Sequence, residues 1–177
     1  MTRAPKPLGY RQTGEHRYRE VVGLGYDELP VGMVIEHRPG RTITETDNTL
    51  MTTLGGNDAP IHTDAHYSSN SEWGRPLVCS TITLHIVGGM TVRSTSGLTI
   101  ASLGFEEIRF LHPVFVGDTL YAETEITGRR RSNSRPHNGI VTCRTTGLTH
   151  DGHTVLTFTR SFLVPLDADA VRDRTHY

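Results

Sequence analysis

The segment from Arg75 to Arg93 constrains this chain more than any other. Its apolar residues recur at Val78, Ile82, Ile86, Val87 and Met90. That spacing repeats every ~3.6 residues and predicts one helix of about four to five turns. Apolar side chains occupy most of its faces, and Ser80, Thr81, Gly88 and Gly89 supply small positions. Such a helix is buried rather than laid on a surface. From residue 98 onward the pattern changes. The runs 98–105, 108–113, 119–130, 139–150 and 153–164 are rich in Thr, Val and Ile and read as strands. Asp151-Gly152 between two of them is a tight-hairpin signal, and Gly117-Asp118 marks another turn. The order predicts an α+β layout, with one long helix wrapped by a strongly curved antiparallel sheet.

Upstream, residues 34–43 read as a strand broken around Pro39-Gly40. Thr44, three residues ahead of Asp47, marks a helix start, and Gly55-Gly56 stops that helix. A second short helix is expected from Asp64 to Glu72. Residues 1–20 are polar, carry Pro5 and Pro7, and are expected as an arm. Residues 21–166 form a single domain without internal repeat or linker, and 167–177 are a charged tail expected to fray.

Charge and cysteine content exclude several functions. The formal net charge of −1 across 177 residues lacks the basic excess of a nucleic-acid binder. No apolar run approaches the ~20 residues of a membrane span. The N-terminus has no apolar core of a secretory signal. Cys79 and Cys143 are too few for a disulfide framework and read as buried thiols in a reducing cytoplasm.

The stretch from Leu54 to Asp64 carries the chemistry. Gly55 and Gly56 permit unusual backbone angles, and Pro60 stiffens the chain ahead of His62. Asn57, Asp58, His62 and Asp64 crowd onto this loop. A histidine trades protons near neutral pH, and a neighbouring acid or amide can orient a water for it. The same spacing also describes an Asx-rich turn bearing a surface histidine. His62, Asp64 and His66 alternate, but a helix over 64–72 would separate them, so no metal site is expected.

The segment Gly56-Asn57-Asp58-Ala59-Pro60-Ile61-His62 resembles the Gly-Asp-x-Asn-Pro-Ile-His signature of the MaoC-like, R-specific enoyl-CoA hydratase family. Family-like blocks follow in order at Trp73–Leu77, Leu103–Phe110, Pro113–Leu120 and Ser132–Pro136. The last resembles a branch acting on branched C5 dicarboxylyl-CoA esters, such as mesaconyl-, itaconyl- or methylmalyl-CoA. The likeness covers roughly residues 25–165. It implies a hotdog fold and reversible hydration of an enoyl-CoA to a 3-hydroxyacyl-CoA, with no cofactor beyond the coenzyme A of the substrate. Two positions depart from the signature. Its catalytic Asp falls on Asn57 and its Asn falls on Ala59.

The resemblance implies His62 as general base and acid, with Asn57 or Asp58 positioning the same water. An amide has no useful proton affinity, so Asn57 is not itself a base. Gly56 and the Ser80 backbone N–H, at the start of the buried helix, are expected against the substrate thioester. Arg129–Arg131 and Arg135 are candidates for its anionic groups, with Arg131 and Arg135 taken as substrate-binding. Arg75 and Arg109 are read as structural, one starting the helix and the other on a strand. A homodimer or dimer-based higher oligomer is expected, with the site at the subunit interface. An acyl-CoA thioesterase and a non-catalytic acyl-CoA-binding hotdog protein remain as alternatives.

Overall fold

The structure, a computed structural model, describes residues 9–177. Strands β3 (Val34–Thr42), β4 (Ala101–Phe110), β5 (Thr119–Arg131), β6 (Asn138–Thr149) and β7 (Thr154–Pro165) build an antiparallel sheet. Its order is β3-β5-β6-β7-β4. The expected turns fall where the sequence put them: Gly117 and Gly152 both take positive φ, 97° and 89°. The break in β3 is a register shift between His37 and Arg41. Sequence alone divided β4 into two runs. It is one strand that bulges between Ser102 and Gly104 and again between Glu106 and Arg109.

Helix α4 (Ser80–Val92) lies against this sheet, shorter than the span its periodicity predicts. Residues 75–79 are drawn out instead. The residue before a proline is pushed away from the helical region, and Pro76 follows Arg75. The Val78 N–H donates to the Val114 carbonyl at 2.9 Å, and Leu77 bridges to Phe115. The chain therefore passes as an extended strap before the helix begins.

Helix α1 (Glu45–Gly55) starts on the expected signal: Thr44 and Asp47 exchange side-chain and backbone hydrogen bonds as a capping box. It ends at Gly56, whose φ of 63° is the left-handed conformation that glycine accepts without strain. Two short helices follow: α2 (Pro60–Thr63), in the stretch read as a loop, and α3 (Ala65–Ser69), which covers only part of the short helix expected over Asp64–Glu72. Asp64 divides them, because its extended backbone ends α2 while its carboxylate caps α3 through the Tyr67 N–H.

The core has two apolar clusters. One joins Ile43, Val78, Ile82 and Val87 to Leu120, Leu156 and Phe158. The other joins Leu24 and Leu29 to Ile126, Val141, Phe162 and Val164. Along β5 and β7 the inward residues switch from the first cluster to the second across Thr124 and Arg160. A buried polar layer sits at that switch. The His37 ring meets Ser94 Oγ at 2.7 Å and Thr124 Oγ1 at 2.8 Å. Arg160 donates to Thr91 Oγ1 and Thr95 Oγ1, each at 2.8 Å, beside the C-terminal end of α4. The negative end of the helix dipole faces that cation.

Residues 1–8 of the expected arm lie outside the described residues. The rest of it forms a hairpin, β1 (Tyr10–Gly14) with β2 (Arg17–Glu20). The expected fraying tail is helix α5 (Ala168–Thr175), capped by Asp167. Buried Arg172 anchors it, reaching the Glu28 carboxylate at 2.8 Å and the Gly23 carbonyl at 2.9 Å. Arg11 pairs with Asp169 and Asp173 and ties the hairpin to the same helix.

Candidate active site

The site is assembled where α1, α2 and the strap meet the start of α4. The Leu77 N–H donates to the Ile61 carbonyl at 3.0 Å, and His62 Nδ1 donates to the Leu77 carbonyl at 2.8 Å. A carbonyl only accepts, so Nδ1 carries a proton, and in the neutral ring the lone pair falls on Nε2. His62 lines a cleft of about 320 Å³ together with Asn48, Thr52, Thr63, Arg75 and Val116.

Asn48 brings the parts into register. It is 4% exposed. Its Nδ2 donates to the His62 carbonyl at 2.9 Å, and its Oδ1 accepts the Cys79 N–H at 3.3 Å. One side chain from α1 thus couples the histidine to the first turn of α4. Sequence reasoning passed over Asn48. The available signal was an amide inside a helix, where Asn competes with the backbone and needs a partner to be useful.

Ser80 opens α4, where the first N–H groups have no intrahelical acceptor. Before it, Cys79 is buried at the cap position. Burial pushes its thiol up, but hydrogen bonds from Thr81 and Asn57 outweigh that and bring it below the ordinary thiol range. Asn57 Nδ2 donates to Cys79 Sγ at 3.1 Å, and Asn57 Oδ1 accepts the Ala59 N–H at 3.3 Å. The amide is therefore locked, with one N–H left for another acceptor. Asp58 is exposed, and its carboxylate does not line the cleft. Gly56 is exposed at the end of α1.

Within one chain Arg131 and Arg135 do not meet His62. They stand at the β5–β6 turn, beside Gly139 and the second core cluster, while His62 lies beside the first. Strand β5, 13 residues long, separates the two ends. At roughly 3.3 Å per residue that is about 40 Å of strand. Arg75 replaces them as the cation of the cleft. It was read as the first residue of the helix, but it lies on the strap, where Pro76 disfavours helical backbone, with its guanidinium over the Phe115 ring.

A helix held by an antiparallel sheet, with a histidine-bearing cleft at one end, is the arrangement of a hotdog protein. The model of the MaoC-like domain family matches residues 28–148, and the chain belongs to that family. Over 142 residues it is 31% identical to the mesaconyl-CoA hydratase of Cereibacter sphaeroides, covering 80% of this chain and 41% of that protein. It is equally similar, at 31% over 142 residues, to the beta-methylmalyl-CoA dehydratase of Chloroflexus aurantiacus, covering 80% of this chain and 40% of that one. A Mycobacterium tuberculosis protein described as a double hotdog fold superposes with a TM-score of 0.76 at 26% identity, over 83% of this chain and 46% of its own. The chain thus spans about two fifths of the length of these curated relatives. Among the described residues no helix is long and apolar enough to cross a membrane.

Proposed function

We propose that this protein adds water across the double bond of an enoyl-CoA thioester and, in reverse, dehydrates the 3-hydroxyacyl-CoA. The observation that carries the reading is the His62 Nδ1–Leu77 carbonyl bond, which leaves Nε2 of the neutral ring as a base; His62 lines a cleft between α1, α2 and the strap, and Asn48 ties it to the N-cap of α4, although Ser80 and Asn57 do not line that cleft. In the forward direction Nε2 takes a proton from water as the water oxygen bonds to Cβ. The displaced π electrons move to the thioester oxygen, giving an enolate. The imidazolium then returns the proton to Cα and the thioester carbonyl re-forms. One water is added, the protein is unchanged, and no electrons are gained or lost, so the only coenzyme required is the CoA of the substrate.

The enolate oxygen is assigned to the Ser80 N–H at the positive end of α4. A donor of this kind is worth about 2.7–4 kcal/mol in comparable sites. Asn57, with its second amide N–H, orients the water. Gly56 lets the loop turn toward the thioester, and Asp58 contributes only after movement of that loop. The names of the similar proteins, a mesaconyl-CoA hydratase and a beta-methylmalyl-CoA dehydratase, support a CoA thioester with a short acyl chain.

A second copy completes the assembly in this reading. Strand β4 is an edge of the sheet and leaves Leu103, Phe105 and Phe110 about half exposed. Pairing two such edges buries them and builds in two chains what the double-hotdog relative carries in one. Arg131 and Arg135 then meet a CoA phosphate only from the partner. A solution mass of at least two chains is expected, and a monomer at micromolar concentration contradicts the assembly. The unpaired thiols of Cys79 and Cys143 fit a cytoplasmic setting.

One observation favours a non-catalytic acyl-CoA-binding protein: Asn57 stands at the signature's acid position and spends its amide on Cys79 and Ala59. The test follows loss of enoyl-thioester absorbance together with free thiol. Hydration consumes the double bond without releasing thiol. Thiol release identifies a thioesterase, and binding without either change identifies the non-catalytic protein.

A further inference from the structure

We infer that Cys79 is a positioning residue for the hydration step, because its side chain fixes the direction in which the Asn57 amide points. The inference rests on the hydratase reading, in which His62 is the base and Asn57 orients the water. His62 and Asn57 share no hydrogen bond, so their relation is set by what each is tied to. Both ties lead to Cys79. Asn57 Nδ2 donates to its Sγ at 3.1 Å. Its backbone N–H donates at 3.3 Å to Asn48 Oδ1, and Asn48 Nδ2 donates at 2.9 Å to the His62 carbonyl. The next residue is Ser80, whose N–H is assigned to the enolate oxygen. Base, amide and oxyanion donor are therefore referred to one residue, which is 3% exposed.

The direction of the amide follows from its partners. The Asn57 N–H donates to the Thr52 carbonyl at 2.9 Å, which fixes the backbone against the end of α1. The Ala59 N–H can only donate, so the side-chain atom 3.3 Å from it is Oδ1, and Nδ2 is the atom that faces Cys79. Sulfur takes one of the two Nδ2 hydrogens, and the planar amide then holds the other in a set direction. Sγ is itself placed, 3.1 Å from Thr81 Oγ1 in the first turn of α4. Without an acceptor at residue 79 the amide keeps one anchor, and the broad χ2 well of asparagine lets the free N–H swing. The pairing suits the residue found at position 57: an amide donates to sulfur, whereas a carboxylate there has no N–H to give. No bond to sulfur forms or breaks in this role.

The test is a double-mutant cycle on the hydration of a short enoyl-CoA, using Cys79→Ala, Asn57→Ala and the pair. Cys79→Ala removes the acceptor and leaves the backbone N–H that serves Asn48. It is expected to lower kcat by about three- to tenfold with KM little changed, the range of one neutral hydrogen bond. Cys79→Ser, which restores an acceptor, recovers most of that loss. In the Asn57→Ala background Cys79→Ala costs no further rate, whereas a merely structural role lowers the rate equally in both backgrounds. Where alanine destabilises the chain, read from its melting temperature, Cys79→Val fills the space without an acceptor and repeats the cycle. Equal losses in both backgrounds, or no recovery by serine, overturn the inference and leave the hydratase reading intact. A wild type that hydrates no enoyl-CoA overturns that reading first, and this role with it.

Discussion

An acid titration of stability isolates the polar layer between the two core clusters. His37 is 3% exposed and surrounded by hydroxyls rather than carboxylates. Burial, then the charges of Arg160 and Arg38, lower its pKa from 6.5 to about 4. Between those values the unfolded chain binds a proton that the folded chain refuses. The stabilisation from a neutral His37 is therefore whole above pH 6.5 and shrinks as pH falls toward about 4. At about 1.36 kcal/mol per pH unit, the loss across that window is about 3 kcal/mol. That is a large part of the ~5–15 kcal/mol that holds a typical domain together. The assay is urea unfolding of wild type and His37→Gln at several pH values from 7.5 to 4. The surface carboxylates titrate alike in both proteins, so the difference reports His37. Wild type is expected to lose about 3 kcal/mol more than the variant across the window. Parallel curves would refute a neutral, desolvated imidazole in that layer.

Two further perturbations follow from the packing. Asn48→Ala leaves the buried Cys79 N–H and the His62 carbonyl without their partner, at a cost of about 1–3 kcal/mol, read as a lower melting temperature. The same change is expected to lower kcat more than it alters KM, since Asn48 sets the placement of His62; an unaltered melting temperature and kcat would remove it from the site. In Gly139→Ala the new Cβ falls 2.1 Å from Tyr26 Cδ2, displacing the ring on which Arg129 rests. The expected cost is about 1–3 kcal/mol, and most of it disappears in a Tyr26→Ala background; an equal cost in both backgrounds would show that the ring is not the obstacle.

Much of the fold was legible because its signals are local. The spacing through Ile82, Ile86, Val87 and Met90 gave α4, the runs of Thr and Val gave the later strands, and Thr44 with Asp47 gave the start of α1. The N-terminal hairpin was hidden because its strands bury almost nothing against the core and lack the apolar alternation of a half-buried strand. Helix α5 was hidden for a different reason: the residue that docks it is a buried arginine, and its partner Glu28 lies on the far side of the sequence.

The site divides in the same way. His62 was legible from a short motif; Ser80 was placed by the resemblance, whereas the helix boundary read from periodicity fell at Arg75, ahead of the observed start at Ser80. Asn48 was not legible, since its role depends on α1 lying beside α2 and Cys79. Arg75 was misread because the apolar periodicity extends beyond the true helix start, although the proline at 76 disfavours a helical Arg75. Arg131 and Arg135 were attractive as a cluster of charge, but their separation from His62 is set by the length of β5, which a motif does not display.

The most direct test of the account is the hydration rate of a short enoyl-CoA with wild type and His62→Ala, both checked for the same fold and assembly. The account predicts conversion to the hydroxyacyl-CoA without release of thiol by the wild type. It predicts a fall of about 10²–10⁴-fold in kcat for the variant, the share of a general acid–base residue. No turnover by wild type across short enoyl-CoAs with and without a carboxylate, or an undiminished rate in His62→Ala, would contradict it.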